Sequence, residues 1–211
     1  MTKLSQYIRE ASRETILDPY EAAKILKKEC RQYINEAGKS VFDLYRGVDN
    51  APRIAKFYMM KKFAHTEKRT PRDTLKKIHK YFNNKFEDIF GWPVRNGVFV
   101  TGSKDNAESY GRAFVFFPAG KYEYVWSPKI QDLTGHFEEP EDEPGLSVEY
   151  MLMHTEKDID KILDTYIDTD LKRAIRSKSE ISFNCEYYYI INTDIDYPTD
   201  DFIEFEKMIL K

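Results

Sequence analysis

Apolar positions recur along the chain in two rhythms. Ala22, Ile25, Leu26, Cys30, Tyr33 and Ile34 fall near one face of a helix. Asp18-Pro19 marks its start, because Asp18 can accept from the first free N–H groups and Pro19 suits the first helical position. Glu21 favours the positive end of the helix dipole, and Gly38 ends the run. A second helix is expected over about 72–90, after Pro71, with Leu75, Ile78, Phe82, Phe86 and Ile89 on one stripe and Gly91 closing it. Elsewhere the rhythm shortens to two. Ser40–Val48 alternates before a turn at Asp49-Asn50, and strands are expected at 97–101, 112–117 and 121–126. Pro118-Ala119-Gly120 offers a hairpin turn, and Ser179–Asn192 reads as the longest strand, rich in Ile, Phe and Tyr. Residues 155–176 read as helical, 200–210 as a short amphipathic tail helix, and acidic Phe137–Gly145, with Pro140 and Pro144, as a loop. Helices first, then an antiparallel sheet with inserted helices, predict an α+β single domain over 1–211. Its parts are a helical N-terminal segment (1–39), a core (40–192) and a C-terminal tail helix (193–211).

Composition sharpens this in two respects. With 211 residues, 41% hydrophobic and including 15 Tyr and 14 Phe, the chain has ample surface to bury, which excludes collagen-like and wholly disordered classes. No apolar run approaches the roughly 20 residues that span a bilayer, and the polar amino terminus lacks the apolar core of a secretion signal. Cys30 and Cys185 give neither a disulfide framework nor metal-ligand spacing, so free buried thiols and a cytoplasmic setting (a host's, if the protein is viral) are expected. Residue usage rich in Lys, Ile, Asn and Tyr points to an AT-rich genome, such as that of a bacteriophage or bacterium. The net charge of −3 conceals segregation. Residues 1–80 carry 19 Lys+Arg against 10 Asp+Glu, with 10 against 2 over 53–80, whereas 137–170 carry 2 against 12. Such polarity can steer a polyanion toward one face, although solvated helix faces produce it too.

Three short elements carry candidate chemistry. In Leu44-Tyr45-Arg46-Gly47 a guanidinium at a strand end, beside bare backbone, suits a phosphate; it is also an ordinary strand end before a turn. Phe99-Val-Thr101-Gly102-Ser103, followed by Asn106–Gly111, places hydroxyls at a sheet edge, where Ser103 can equally cap the next helix; Tyr110 offers a flat face or a core ring. Ser179-Glu180-Ile-Ser-Phe183 puts a carboxylate at the head of an apolar strand, where burial would need a reason.

In this order the elements resemble the ADP-ribosyltransferase superfamily, in its arginine-serine-glutamate branch of toxins and their cellular and viral relatives. That family sets an Arg-Gly strand, a strand ending Ser-Thr-Ser and a strand bearing a catalytic Glu around a cleft that holds NAD. The resemblance covers residues 40–192 and implies a split antiparallel sheet. It also implies NAD as co-substrate and a macromolecular acceptor, protein or nucleic acid, with no membrane partner. Carried onto this chain, it makes Glu180, Arg46 and Ser103 catalytic, and Arg46, Gly47, Thr101, Ser103 and Tyr110 NAD-binding. Arg46 would clamp a phosphate, Gly47 would bond the nicotinamide amide, Ser103 would hold Glu180, and Tyr110 would stack, with Tyr45 and Phe99 as competitors. Two positions depart from the pattern. Gly102 stands for the central Thr. Lys178 stands two before Glu180, where enzymes that modify arginine carry an acidic or amide residue, which weakens the case for an arginine acceptor.

Other chemistry has less support. His79 reads as a partly buried helix residue, and Arg95 as a turn residue facing solvent with a lesser chance of reaching a phosphate. His65, His136 and His154 show no zinc spacing, so no metal is expected, and no GxGxxG or P-loop pattern occurs. The rival class is a non-catalytic nucleic-acid-binding or interaction protein on a degenerate transferase-like fold. It would use the basic 53–80 stretch, with Tyr58 and Phe63 among the lysines.

Overall fold

The computed structural model describes residues 15–49, 51, 56–64, 76–133, 159–192 and 200–211. They form helices and antiparallel sheet, an α+β chain. The helices are α1 (Pro19–Glu29), α2 (Arg31–Ala37), α3 (Lys76–Phe90), α4 (Lys104–Glu108), α5 (Leu171–Ser177) and α6 (Asp200–Leu210). The strands are β1 (Thr15–Ile16), β2 (Tyr45–Val48), β3 (Met59–Phe63), β4 (Val98–Thr101), β5 (Arg112–Pro118), β6 (Tyr122–Trp126), β7 (Glu180–Cys185) and β8 (Tyr187–Asn192). The chain groups into two compact units. One comprises Met1–Ala64, Ser103–Tyr122 and Cys185–Lys211; the other comprises His65–Gly102 and Glu123–Asn184.

The first unit holds strands in the order β1-β3-β8-β5-β2. The register runs Thr15↔Met60, Met59↔Ile191, Val115↔Ile191 and Arg46↔Phe114. Asp18 caps α1 through Tyr20 N–H at 2.9 Å, as its position predicts. The single helix expected over 18–38 is instead two. The Glu29 carbonyl, which a continuous helix would give to Tyr33, accepts the Gly120 N–H at 2.7 Å, and Cys30 leaves helical geometry at φ −110°, ψ 21°. Gly38, at φ 59°, stops α2 as expected. Both helices serve one face of the sheet: Tyr33 meets Phe117 edge to face at 5.6 Å, and Glu29 accepts from Tyr189, the register partner of Phe117. Only Tyr45–Val48 of the expected Ser40–Val48 strand is extended. Val41 N and Asp43 N bond back to Gly38 and Ser40, so local turns hold the apolar Val41 and Leu44 inside. The tail helix α6 lies where expected and buries Phe205 against Phe57 at 5.1 Å and Phe42 at 5.9 Å.

The expected hairpin at 118–120 does not form. β5 lies between β8 and β2, while β6 neighbours β7. The turn's N–H groups go elsewhere, Ala119 to Tyr187 O at 3.1 Å and Gly120 to Glu29 O. The long strand expected over Ser179–Asn192 is likewise two, broken at Glu186, whose carbonyl accepts from Ala64. β7 pairs with β4, and β8 with β3 and β5.

The second unit has the order β4-β7-β6. Phe82 and Phe86 of α3 pack with Trp92, Val94, Val125 and Leu163 into an apolar cluster. Gly91, at φ +78°, ends α3. Ile89 departs from the expected stripe: it is 51% exposed, and Phe90 packs on the cluster in its place. Leu75, the Ile78 side chain and the acidic 137–145 segment lie outside the described residues. The expected helix over 155–176 is interrupted. Residues 159–163 are helical, then Ile167 forms a two-way bridge with Trp126 (3.0 and 2.9 Å), and Asp170 starts α5 by accepting Arg173 N–H at 3.2 Å. The bridge takes the backbone bonds that a helix would have needed.

Candidate functional site

Glu180 is the first residue of β7, directly opposite Thr101, the last residue of β4. Register partners point to one face of a sheet, so Phe99, Thr101, Glu180 and Ser182 share it. The strand heads are anchored through backbone: Glu180 N–H donates to Gln131 O at 2.8 Å, and Thr101 Oγ1 donates to Lys178 O at 2.8 Å. The threonine hydroxyl therefore holds the turn that delivers Glu180. Lys178 itself closes α5 in the left-handed region at φ 61°, an uncommon conformation for a residue with a side chain.

Arg95 is the residue that sequence reasoning placed wrongly. It is buried, not solvent-facing, and its Nη1 donates to Glu180 Oε1 at 2.5 Å. The side chains are 11% and 23% exposed, so the carboxylate is the more open member. The guanidinium also lies 4.4 Å from the Phe99 ring centroid. Register alone puts Arg95 at the wrong end of β4, because Thr101, not Val98, faces Glu180. The short 3-10 turn at Val94–Asn96 folds the arginine back over Phe99. That turn is fixed from α3. Asn83 Oδ1 accepts the Arg95 N–H at 2.8 Å, and Asn83 Nδ2 donates to Asn96 Oδ1 at 2.9 Å. His79 Nε2, 2.9 Å from Asn96 Oδ1, completes the network, so His79 is a helix residue held by structural partners, more enclosed than the partly buried position expected. Tyr166 stands nearby; burial pushes its phenol far above the ordinary range, Glu180 adds to this and Arg95 opposes it.

Gly102 has a packing cause. A Cβ there would overlap the Ile175 carbonyl oxygen of α5, leaving no room for threonine or any other side chain.

The remaining expected residues belong to the first unit. The Arg46 guanidinium lies 5.4 Å from the Tyr188 ring centroid. Gly47 backs onto α4: a Cβ would overlap Ala107 O and stand 2.8 Å from Tyr110 Cβ, so its bareness serves packing here. That contact brings Arg46-Gly47 beside Tyr110, which is 56% exposed. Ser103 Oγ accepts the Asn106 N–H at 3.3 Å and caps α4, the local role its position also predicted. Of the stacking competitors, Tyr45 is half-buried and Phe99 is engaged by Arg95. In the basic stretch Tyr58 is fully buried and cannot stack on a base, while Phe63 is 56% exposed. Thus Arg46, Gly47, Ser103 and Tyr110 share one unit, and Thr101 and Glu180 share the other with Arg95.

Among the described residues no group of three or more His, Cys, Asp or Glu could hold a metal ion, and no helix is long and apolar enough to cross a membrane. No family model, curated protein or solved structure matches this chain.

Proposed function

We propose that this chain is an NAD-dependent ADP-ribosyltransferase of the arginine-serine-glutamate kind. It would move ADP-ribose to a protein or nucleic-acid acceptor in a cytoplasm, with release of nicotinamide. The observation that supports the reading is the antiparallel pairing that sets Thr101 across from Glu180, with the carboxylate partly open beside a buried arginine. Taken unit by unit, the residue types suit the parts of a dinucleotide: in the first the Arg46 guanidinium suits a phosphate and the exposed Tyr110 ring a flat heterocycle, and in the second the Glu180 carboxylate suits a ribose hydroxyl. Gly47 and Ser103 remain in the proposal as backbone and hydroxyl contributors despite their local packing and capping roles.

In the proposed reaction the bond between the ribose C1′ and the nicotinamide nitrogen breaks, and the electron pair leaves with nicotinamide. Positive charge grows on the ribose, where Glu180 stabilises it more than in the ground state. The acceptor then bonds to C1′ and gives up its proton, which Glu180 can take.

The test is incubation with NAD labelled in its adenylate phosphate and a cell extract, followed by separate protease and nuclease digestion. Label is expected in macromolecule, with free nicotinamide in equal amount, and Glu180→Gln should slow release about 100-fold while circular dichroism is unchanged. Wild-type protein that neither binds nor consumes NAD would overturn the reading. The other reading, a non-catalytic nucleic-acid binder, draws on exposed Phe63 beside Lys61 and Lys62. It predicts salt-dependent binding indifferent to Glu180→Gln.

A further inference from the structure

We infer that Arg95 is a positioning residue for the Glu180 carboxylate, itself set in place by Asn83; the inference rests on the transferase reading. Four contacts carry it. Arg95 donates to Glu180 Oε1, its guanidinium carbon lies over the Phe99 ring 4.4 Å from the centroid, its backbone N–H is held by Asn83 Oδ1, and Glu180 is tied through its own N–H to Gln131 O. The cation is therefore constrained by its charge partner, by a ring and by the main chain. A carboxylate on a rotatable stem would otherwise sample several rotamers, and misplacement by about 1 Å can cost about 100-fold in rate. A lysine substitutes only in part, since it lacks the forked donors that let a cation lie over Phe99 while still donating to Glu180. Arg95 needs no contact with substrate to act in this way.

The experiment measures nicotinamide release for wild type, Arg95→Lys, Arg95→Ala and Phe99→Leu, each also in the Glu180→Gln background. Arg95→Ala is expected to lower kcat about 100-fold with KM for NAD little changed. Millimolar guanidinium ion should restore part of that kcat, which a merely structural defect would not permit. Arg95→Lys should fall about 10-fold and Phe99→Leu less, and both keep the fold measurable if Arg95→Ala does not fold. In the Glu180→Gln background none of these should cost anything further, because residues acting as a unit are not additive. A wild-type enzyme whose kcat survives Arg95→Lys and Phe99→Leu, or whose loss falls on KM or adds in full to Glu180→Gln, overturns this inference alone. Wild type that releases no nicotinamide overturns the transferase reading, and the inference with it.

Discussion

Glu29 ends a helix in the first unit and Glu180 begins a strand in the second, and each is linked, through phenols or directly, to a cation that lies over an aromatic ring. Their partners differ. Glu29 Oε2 accepts from Tyr189 at 2.5 Å and from Tyr187 at 3.2 Å, while the Lys61 ammonium lies 3.8 Å from the Tyr187 centroid and 5.8 Å from those of Phe63 and Tyr189. The acid is occupied by phenols and the cation by rings, which joins α1 to β3 and β8. Glu180 instead meets its cation directly, and the ring lies behind the arginine. Hydrogen-bonded phenols make a brace between helix and sheet. A guanidinium fixed from behind makes an oriented carboxylate, which is the arrangement a reaction can use.

The largest effect that separates the two is on activity. Glu180→Gln should cut nicotinamide release about 100-fold and Glu29→Gln should leave it unchanged; equal losses would erase the distinction. Stability should rank the other way. Glu29→Ala strips two phenols of their acceptor and should cost about 2 kcal/mol in urea unfolding, against about 1 kcal/mol for Glu180→Gln, which still offers Arg95 an amide oxygen.

Alkaline pH offers a third separation, since burial pushes up the phenols of Tyr187 and Tyr189, with Glu29 adding to both, and pushes the Cys185 thiol up to about 12. Raised acids are protonated in both states below their ordinary values, so stability is full there. As pH climbs from about 9 toward the folded values, the unfolded chain sheds protons that the folded chain keeps, and stability falls. Cys185 should account for on the order of 1 kcal/mol of the loss by pH 10, so Cys185→Ala should lessen the fall in urea midpoint while the raised phenols and the buried Cys30 thiol keep the rest. A midpoint constant from pH 8 to 10.5 would contradict the burial of these groups. The smallest expected change is Lys61→Met, about 0.5 kcal/mol, from the lost cation–ring attraction.

What could be read from the sequence follows from how local each signal was. The cap at Asp18, the stop at Gly38, the end of α3 at Gly91 and the tail helix are decided within a few residues, and all appear. The breaks were not legible, because distant partners make them. Helix α1 yields at Cys30 to an N–H ninety residues on, and the strand pattern over 179–192 cannot reveal that its halves pair with different neighbours. The motif residues were found by type and order, but their immediate partners were not. The Arg95–Glu180 pair spans 85 residues and depends on a 3-10 turn that reverses the direction a register would suggest. Gly47 and Gly102 show the converse: their positions suggest a ligand contact and a departure from the motif, and each answers to a carbonyl packed against its Cα.

The way the two units share the chain limits how this protein can be dissected. β5, flanked on both sides within the first unit's sheet, is encoded between the two stretches that build the second. Any truncation long enough to remove the second unit also tears β5 from the first. Neither half can be expressed as a contiguous fragment, because each is assembled from separated stretches of the chain.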